Sequence, residues 1–155
     1  MRKHSSMTDL YDSCVSEGYI RQTDLVNKDA VKNIVLNAES SIKAAEIISK
    51  NITKNEREWQ NVFLLYYDSL RMYCECITMW DKIGINNHQC LFTYVCVKHG
   101  DLELDWEFLE LVRSRRNGIN YYGETIQYAN WKEIELKVKL YLSGLKKHVE
   151  QLLKK

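Results

Sequence analysis

The chain contains no proline. Across 155 residues, with only six glycines, little interrupts the backbone, so long helices are the most economical way to fold it. The apolar residues recur at helical rather than strand spacing almost everywhere, in six segments. The first runs from about Thr8 to Ile20 and carries Leu10, Cys14 and Val15. The second opens at Asn27, a good N-cap, with a stripe of Ala30, Ile34, Ala38, Ile42, Ala45, Ile48 and Ile52. The third opens at Asn55 with Glu58 in capping-box position. Its stripe is Trp59, Phe63, Tyr66, Leu70, Tyr73, Ile77 and Trp80, and Gly84 suits its C-terminal cap. The fourth, His88 to Val97, is apolar nearly all round and reads as a buried helix. The fifth spans Asp105 to Tyr122. The sixth opens at Asn130 with Glu133 at the capping-box position and carries Ile134, Val138, Leu142, Leu145, Val149 and Leu152. Long helices joined by short loops predict an all-α, up-and-down helical bundle of four main helices plus one or two shorter ones. No repeat, low-complexity tract or linker divides residues 1–155, so the chain reads as a single domain.

Composition narrows the function classes. A hydrophobic share of 45% with 28% charged residues is that of a globular protein, neither disordered nor membrane-embedded. The net charge of +1 supplies no global field for nucleic acid, so any such binding needs a local patch. The terminal helix is locally basic: from Trp131 to Lys155 there are seven lysines against Glu133, Glu135 and Glu150. The cysteines are Cys14, Cys74, Cys76, Cys90 and Cys96; their odd number, without metal-ligand spacing, reads as free thiols in a reducing compartment. Residues Met1 to Thr8 lack the apolar run of a signal peptide, and no segment reaches the roughly 20 apolar residues of a membrane span. A cytoplasmic protein without membrane association is expected. No phosphate loop, His-Glu-x-x-His pair or Cys-x-x-Cys is present, so neither a metal nor a cofactor is expected. His88, just before an apolar helix, reads as a structural cap.

One stretch departs from simple amphipathicity. The fifth segment reads DWEFLELVRSRRNGINYYG, with Phe108, Leu111, Val112 and Ile119 on its apolar side. Arg113, Arg116, Asn117 and Asn120 share the other side by three- and four-residue steps, with Tyr121 one turn beyond Asn117. Gly118, costing about 1 kcal/mol relative to alanine in a helix interior, marks a close approach by a helix, a second subunit or a ligand. Cations near a helix C-terminus are also favoured by its dipole, so a solvated helix end is the plain alternative.

Two motifs together resemble the HEPN superfamily. YYDSLRMYCECITMWDKIGINNHQCLFTYV, Tyr66 to Val95, is similar to the family's pattern of a helix ending at a glycine, a short loop, Asn-His and a buried helix. RSRRNGINYYG, Arg113 to Gly123, is similar to the arginine-asparagine motif of its active site. The resemblance covers about Asn27 to Leu153. It implies a bundle of about four main helices and a two-fold dimer with facing arginine motifs. It also implies either a metal-independent ribonuclease of toxin or defence systems or a module paired with a nucleotidyltransferase antitoxin. The family motif places a His after its Arg with four to six residues between them. Here Arg116 and Asn117 are kept, but Tyr121 stands where the His would be.

That departure matters because moving the proton of an attacking 2′-hydroxyl needs a group of near-neutral pKa. Imidazole titrates near about 6.5 and a phenol near about 10. The expected site therefore has Arg116 and Tyr121 in any catalytic role, with Arg113, Arg116, Asn117 and Asn120 holding the phosphate of RNA or a nucleotide. A module that binds RNA, nucleotide or a nucleotidyltransferase ranks slightly ahead of a ribonuclease, and a purely structural dimer is the third reading.

Overall fold

The computed structural model describes residues 6–155, so the reading of Met1 to Thr8 falls largely outside the described residues. The chain is an all-α bundle. Four long helices, α2 (Lys28–Asn51), α3 (Trp59–Trp80), α5 (Trp106–Tyr122) and α6 (Tyr128–Leu153), are joined by two shorter ones, α1 (Met7–Ser16) and α4 (His88–Lys98). Two three-residue strands, β1 (Ile20–Gln22) and β2 (Ile83–Ile85), pair antiparallel with Ile20 opposite Ile85. No described helix is long and apolar enough to cross a membrane.

Helix α3 is the axis of the bundle. Its stripe is buried as its spacing predicts: Trp59, Phe63, Tyr66, Leu70 and Ile77 all lie in the core. α2 runs antiparallel to it, because the Ser69 hydroxyl donates to the carbonyl of Ala38 while the Cys76 thiol, seven residues on, donates to that of Val31, seven residues back, at 3.7 Å. α6 runs alongside α3 in the same direction. Trp131 stacks on Tyr66 with centroids 4.8 Å apart and meets Phe63 edge-on at 6.5 Å. α5 runs antiparallel to α6: Asp105, at its start, donates its N–H to Tyr141, whereas Arg115, near its end, reaches the carbonyl of Asn130. The four long helices therefore alternate in direction along the chain.

Several local expectations are corrected. The core face of α2 centres on Val31, Val35, Ala38 and Ala45, leaving Ile34, Ile42 and Ile48 half-buried and Ile52 beyond the helix end. Asn55 does not cap α3. Residues 53–58 form a turn in which the Glu56 carboxylate accepts from the Thr53 N–H and the Trp59 indole donates to the Thr53 carbonyl at 2.9 Å, so the helix begins at Trp59. Nor does Gly84 cap its other end. Lys82 takes the left-handed conformation (φ 60°), and Gly84 lies in β2 opposite Arg21, where an added Cβ would come 3.3 Å from the Thr23 methyl. α6 starts two residues before Asn130, which instead accepts from the Gln127 N–H at 3.0 Å. α1 stops at Ser16, and Gly18 (φ 79°) turns the chain into β1.

The cysteines are corrected as well. Cys14 and Cys90 form a disulfide that pins α1 to the first turn of α4, while Cys74, Cys76 and Cys96 are free and buried. α1 packs against α4, so two cysteines 76 residues apart meet. Parity of the cysteine count carries no information about such a contact.

Candidate anion site between α4 and α5

The polar facet of α5 faces the N-terminus of α4. Asn87 caps α4 by accepting from the Cys90 N–H at 3.0 Å, and α5 is seated by Asp105, whose carboxylate accepts from the N–H groups of Glu107 and Phe108. The Trp106 indole donates to Thr93 at 2.9 Å and fixes the start of α5 on α4. Where the two helices meet, a polar cleft of about 340 Å³ opens between Asn86, Asn87 and His88 on one side and Arg113, Arg116 and Tyr121 on the other.

Arg116 is the centre of this cleft. Its Nη1 donates to Asn117 Oδ1 at 3.2 Å and to the Tyr121 hydroxyl at 3.5 Å. With its side-chain oxygen turned to the guanidinium, Asn120 accepts from Nε at 3.0 Å and Nη2 at 3.3 Å. The guanidinium also lies over the rings of Tyr67 and Tyr121, 5.6 and 5.7 Å from their centroids. These partners are all neutral. Among the described residues no carboxylate lies within ion-pair distance of Arg116, whereas Arg113 and Arg115 both have one. Four of the five residues expected at the site, Arg116, Asn117, Asn120 and Tyr121, are thus brought together.

Arg113 is placed differently from the expected two-guanidinium clamp. It is held by Glu110 one turn back through two bonds of 3.1 Å, and Glu110 also accepts from Gln89 at 2.8 Å. Its charge is locally offset, and it serves as a brace between α5 and α4. Arg115 ties α5 to α6 through Asn130 and, at 3.8 Å, Glu133. Gly118 is buried, but the close approach it allows comes from the same chain. An added Cβ would fall 1.9 Å from Glu124 Oε2, because the turn at Gly123 (φ 67°) folds Glu124 back over the helix end.

The residue that sequence reading missed is His88. It is not the cap of α4, a role Asn87 fills, but the first residue inside the helix, and it lines the cleft with Arg116. Its Nδ1 shares a 3.0 Å hydrogen bond with the Tyr67 hydroxyl, and its Nε2 has no partner among the described residues and is not sealed from solvent. Burial, with the positive charges of Arg116, Arg71 and Arg113, pushes its pKa down to about 4, so the ring is neutral at neutral pH. Burial pushes the pKa of Tyr67 upward against the opposing pull of the same arginines, so its hydroxyl keeps its proton. The signal was present in the sequence as the Asn-His pair of the first motif, but nothing local connects it to an arginine 28 residues on. Comparison with protein-family models, curated proteins and solved structures finds no match to this chain.

Proposed function

We propose that this chain is a HEPN-like module that binds the phosphate of RNA or of a nucleotide in the cleft between α4 and α5. The observation that carries the reading is the guanidinium of Arg116, which has only neutral oxygen partners and stands at an open polar cleft. A phosphate gives the guanidinium the opposite charge that those neutral acceptors lack, and two of its oxygens can accept from two N–H groups at once. Asn117, Asn120 and the neutral imidazole of His88 supply uncharged donors around it, and Tyr67 and Tyr121 flank the cation with ring faces. In this reading Arg113 positions the site rather than gripping the ligand. Calorimetric titration with a nucleoside monophosphate tests it. Charge-assisted bonds contribute about 1.5–3 kcal/mol each, so Arg116→Ala is expected to weaken binding on the order of tenfold or more. Equal affinity in the two proteins would remove the site.

A metal-independent endoribonuclease of a toxin–antitoxin or defence system is the second reading, and the placement of His88 favours it more than the sequence alone did. The histidine absent from the position of Tyr121 has a counterpart from another helix. A neutral imidazole whose Nε2 is unpartnered can take a proton from a 2′-hydroxyl, while Arg116 stabilises charge on the phosphate. Cleavage of RNA in the presence of chelator, abolished by His88→Asn and reduced only modestly by Tyr121→Phe, is the outcome this reading expects. The opposite order would return the catalytic role to Tyr121. A nucleotidyltransferase partner belongs to both readings, as does a cytoplasmic setting where RNA is available, although the Cys14–Cys90 disulfide removes the free-thiol argument for that setting.

A further inference from the structure

Helix α6 has two faces. One, carrying Trp131, Ile134, Val138, Leu142, Leu145 and Val149, is buried in the bundle. The opposite face runs through Glu133, Leu136, Leu140, Gly144 and Lys147, in steps of three and four residues, and every one of these is exposed or nearly so. Leu136 is 83% and Leu140 66% exposed, the largest apolar exposures on this helix. A single exposed leucine is ordinary on a protein surface. Two at a four-residue step, at the middle of a 26-residue helix, make a seam.

The seam is symmetric about Leu140 in a way that matters for pairing. An antiparallel copy placed across a two-fold axis at Leu140 sets Leu136 against the partner's Gly144 and Glu133 against the partner's Lys147. Each contact then occurs twice, as a self-complementary interface requires. Gly144 has room for it: an added Cβ would meet nothing within 4 Å. Beside it lies an apolar cleft of about 240 Å³ whose lining includes Leu102, Leu104, Leu140 and Leu145. Of the charges at the ends of the seam, Lys147 is free of an ion pair among the described residues and Glu133 is held only by the long contact to Arg115, at 3.8 Å. Lys132, Lys137, Lys139 and Lys146 pair with carboxylates of their own chain. A parallel arrangement would oppose Glu133 to Glu133 and Lys147 to Lys147, so charge selects the antiparallel one.

We propose that the outer face of α6 is a homodimer interface in which two copies of this chain pack antiparallel about Leu140. This pairing differs from the arginine-to-arginine dimer implied by the resemblance, and it does not depend on what the cleft beside Arg116 binds.

Sedimentation equilibrium of the full chain tests it. Wild type is expected to be a dimer at micromolar concentration, and Leu140→Glu a monomer with unchanged far-UV dichroism, since Leu140 does not contribute to the bundle core. Glu133→Lys and Lys147→Glu alone each turn two attractive pairs repulsive and should weaken the dimer on the order of tenfold. An equimolar mixture of these two variants regains both opposite-charge pairs and should return to wild-type affinity as a mixed dimer. A monomeric wild type, a dimer that survives Leu140→Glu, or a mixture no tighter than its components would each overturn the proposal. In the first case the seam is solvent-facing or meets a different partner, and in the others the two-fold axis lies elsewhere.

Discussion

At the scale of single residues, the cleft turns on how Arg116 and His88 affect each other. Burial and three arginines hold the imidazole neutral, so its pKa of about 4 lies below the roughly 6.5 of an unfolded chain. The sign follows: between those values the unfolded chain binds the extra proton and the folded one does not. Stability associated with His88 is therefore full above about pH 6.5 and is lost as the pH falls towards 4. NMR titration of the His88 Cε1–H is expected to place its midpoint near 4 in the free protein. Arg116→Ala should raise it part of the way, because burial is the larger cause and remains. A wild-type midpoint at the ordinary histidine value would contradict the geometry. A bound phosphate supplies negative charge beside the ring and should also raise the midpoint, so binding takes up protons and tightens as the pH falls. Gly118 is a second residue-scale case. Its tight neighbour is the side chain of Glu124, so Gly118→Ala in a Glu124→Ala background is expected to stabilise by up to about 1 kcal/mol in thermal unfolding. A loss there would mean that something else occupies the space.

At the scale of elements, the long helices were legible because their periodicity is repeated over many turns. The stripe of α3 predicts its burial from Trp59 to Ile77, with Trp80 at the helix end only partly buried, and the uniformly apolar α4 is buried from Cys90 to Cys96. What could not be read was whatever depends on contacts between distant segments. β1 and β2 are three residues each and meet only because α1 folds back on α4; neither is long enough to show alternation. The Cys14–Cys90 bond belongs to the same contact. It anchors the short α1, whose core contribution is one fully buried side chain, Cys14 itself. Reducing it, or replacing Cys14 with Ser, is expected to cost about 2–4 kcal/mol, measured by denaturant unfolding with and without reductant. Protection of α1 amides from hydrogen exchange should fall first, and α2, α3 and α6 should keep theirs. Uniform loss across all helices would show that α1 is integral to the bundle. Because Cys90 lies two residues from His88, the same experiment reports whether the disulfide also holds the cleft.

At the scale of the whole molecule, the bundle presents two positively charged regions that could attract a polyanion: the cleft beside Arg116 and the lysine-rich end of α6. The sequence identifies both as runs of basic residues on a helix and places the expected phosphate on the arginine facet of α5. The structure separates them by their surroundings. Among the described residues at the lysine-rich end of α6 only Lys146 pairs with a carboxylate, and Lys147, Lys154 and Lys155 stand exposed at the surface, whereas Arg116 stands in a cleft, ringed by neutral oxygens and aromatic faces. Half of the site was legible, namely the arginine and asparagines that follow one another along α5. The other half, His88 with Tyr67, comes from helices earlier in the chain and is visible only once they are packed. The most direct measurement is the binding of a short labelled RNA over a range of salt concentrations, comparing wild type, Arg116→Ala and the double variant Lys154→Ala, Lys155→Ala. Arg116→Ala is expected to lose on the order of tenfold or more in affinity and to flatten the salt dependence by about one ion, with the double variant close to wild type. Full affinity in Arg116→Ala together with a loss in the double variant would place binding on the terminal helix and contradict binding in the cleft beside Arg116.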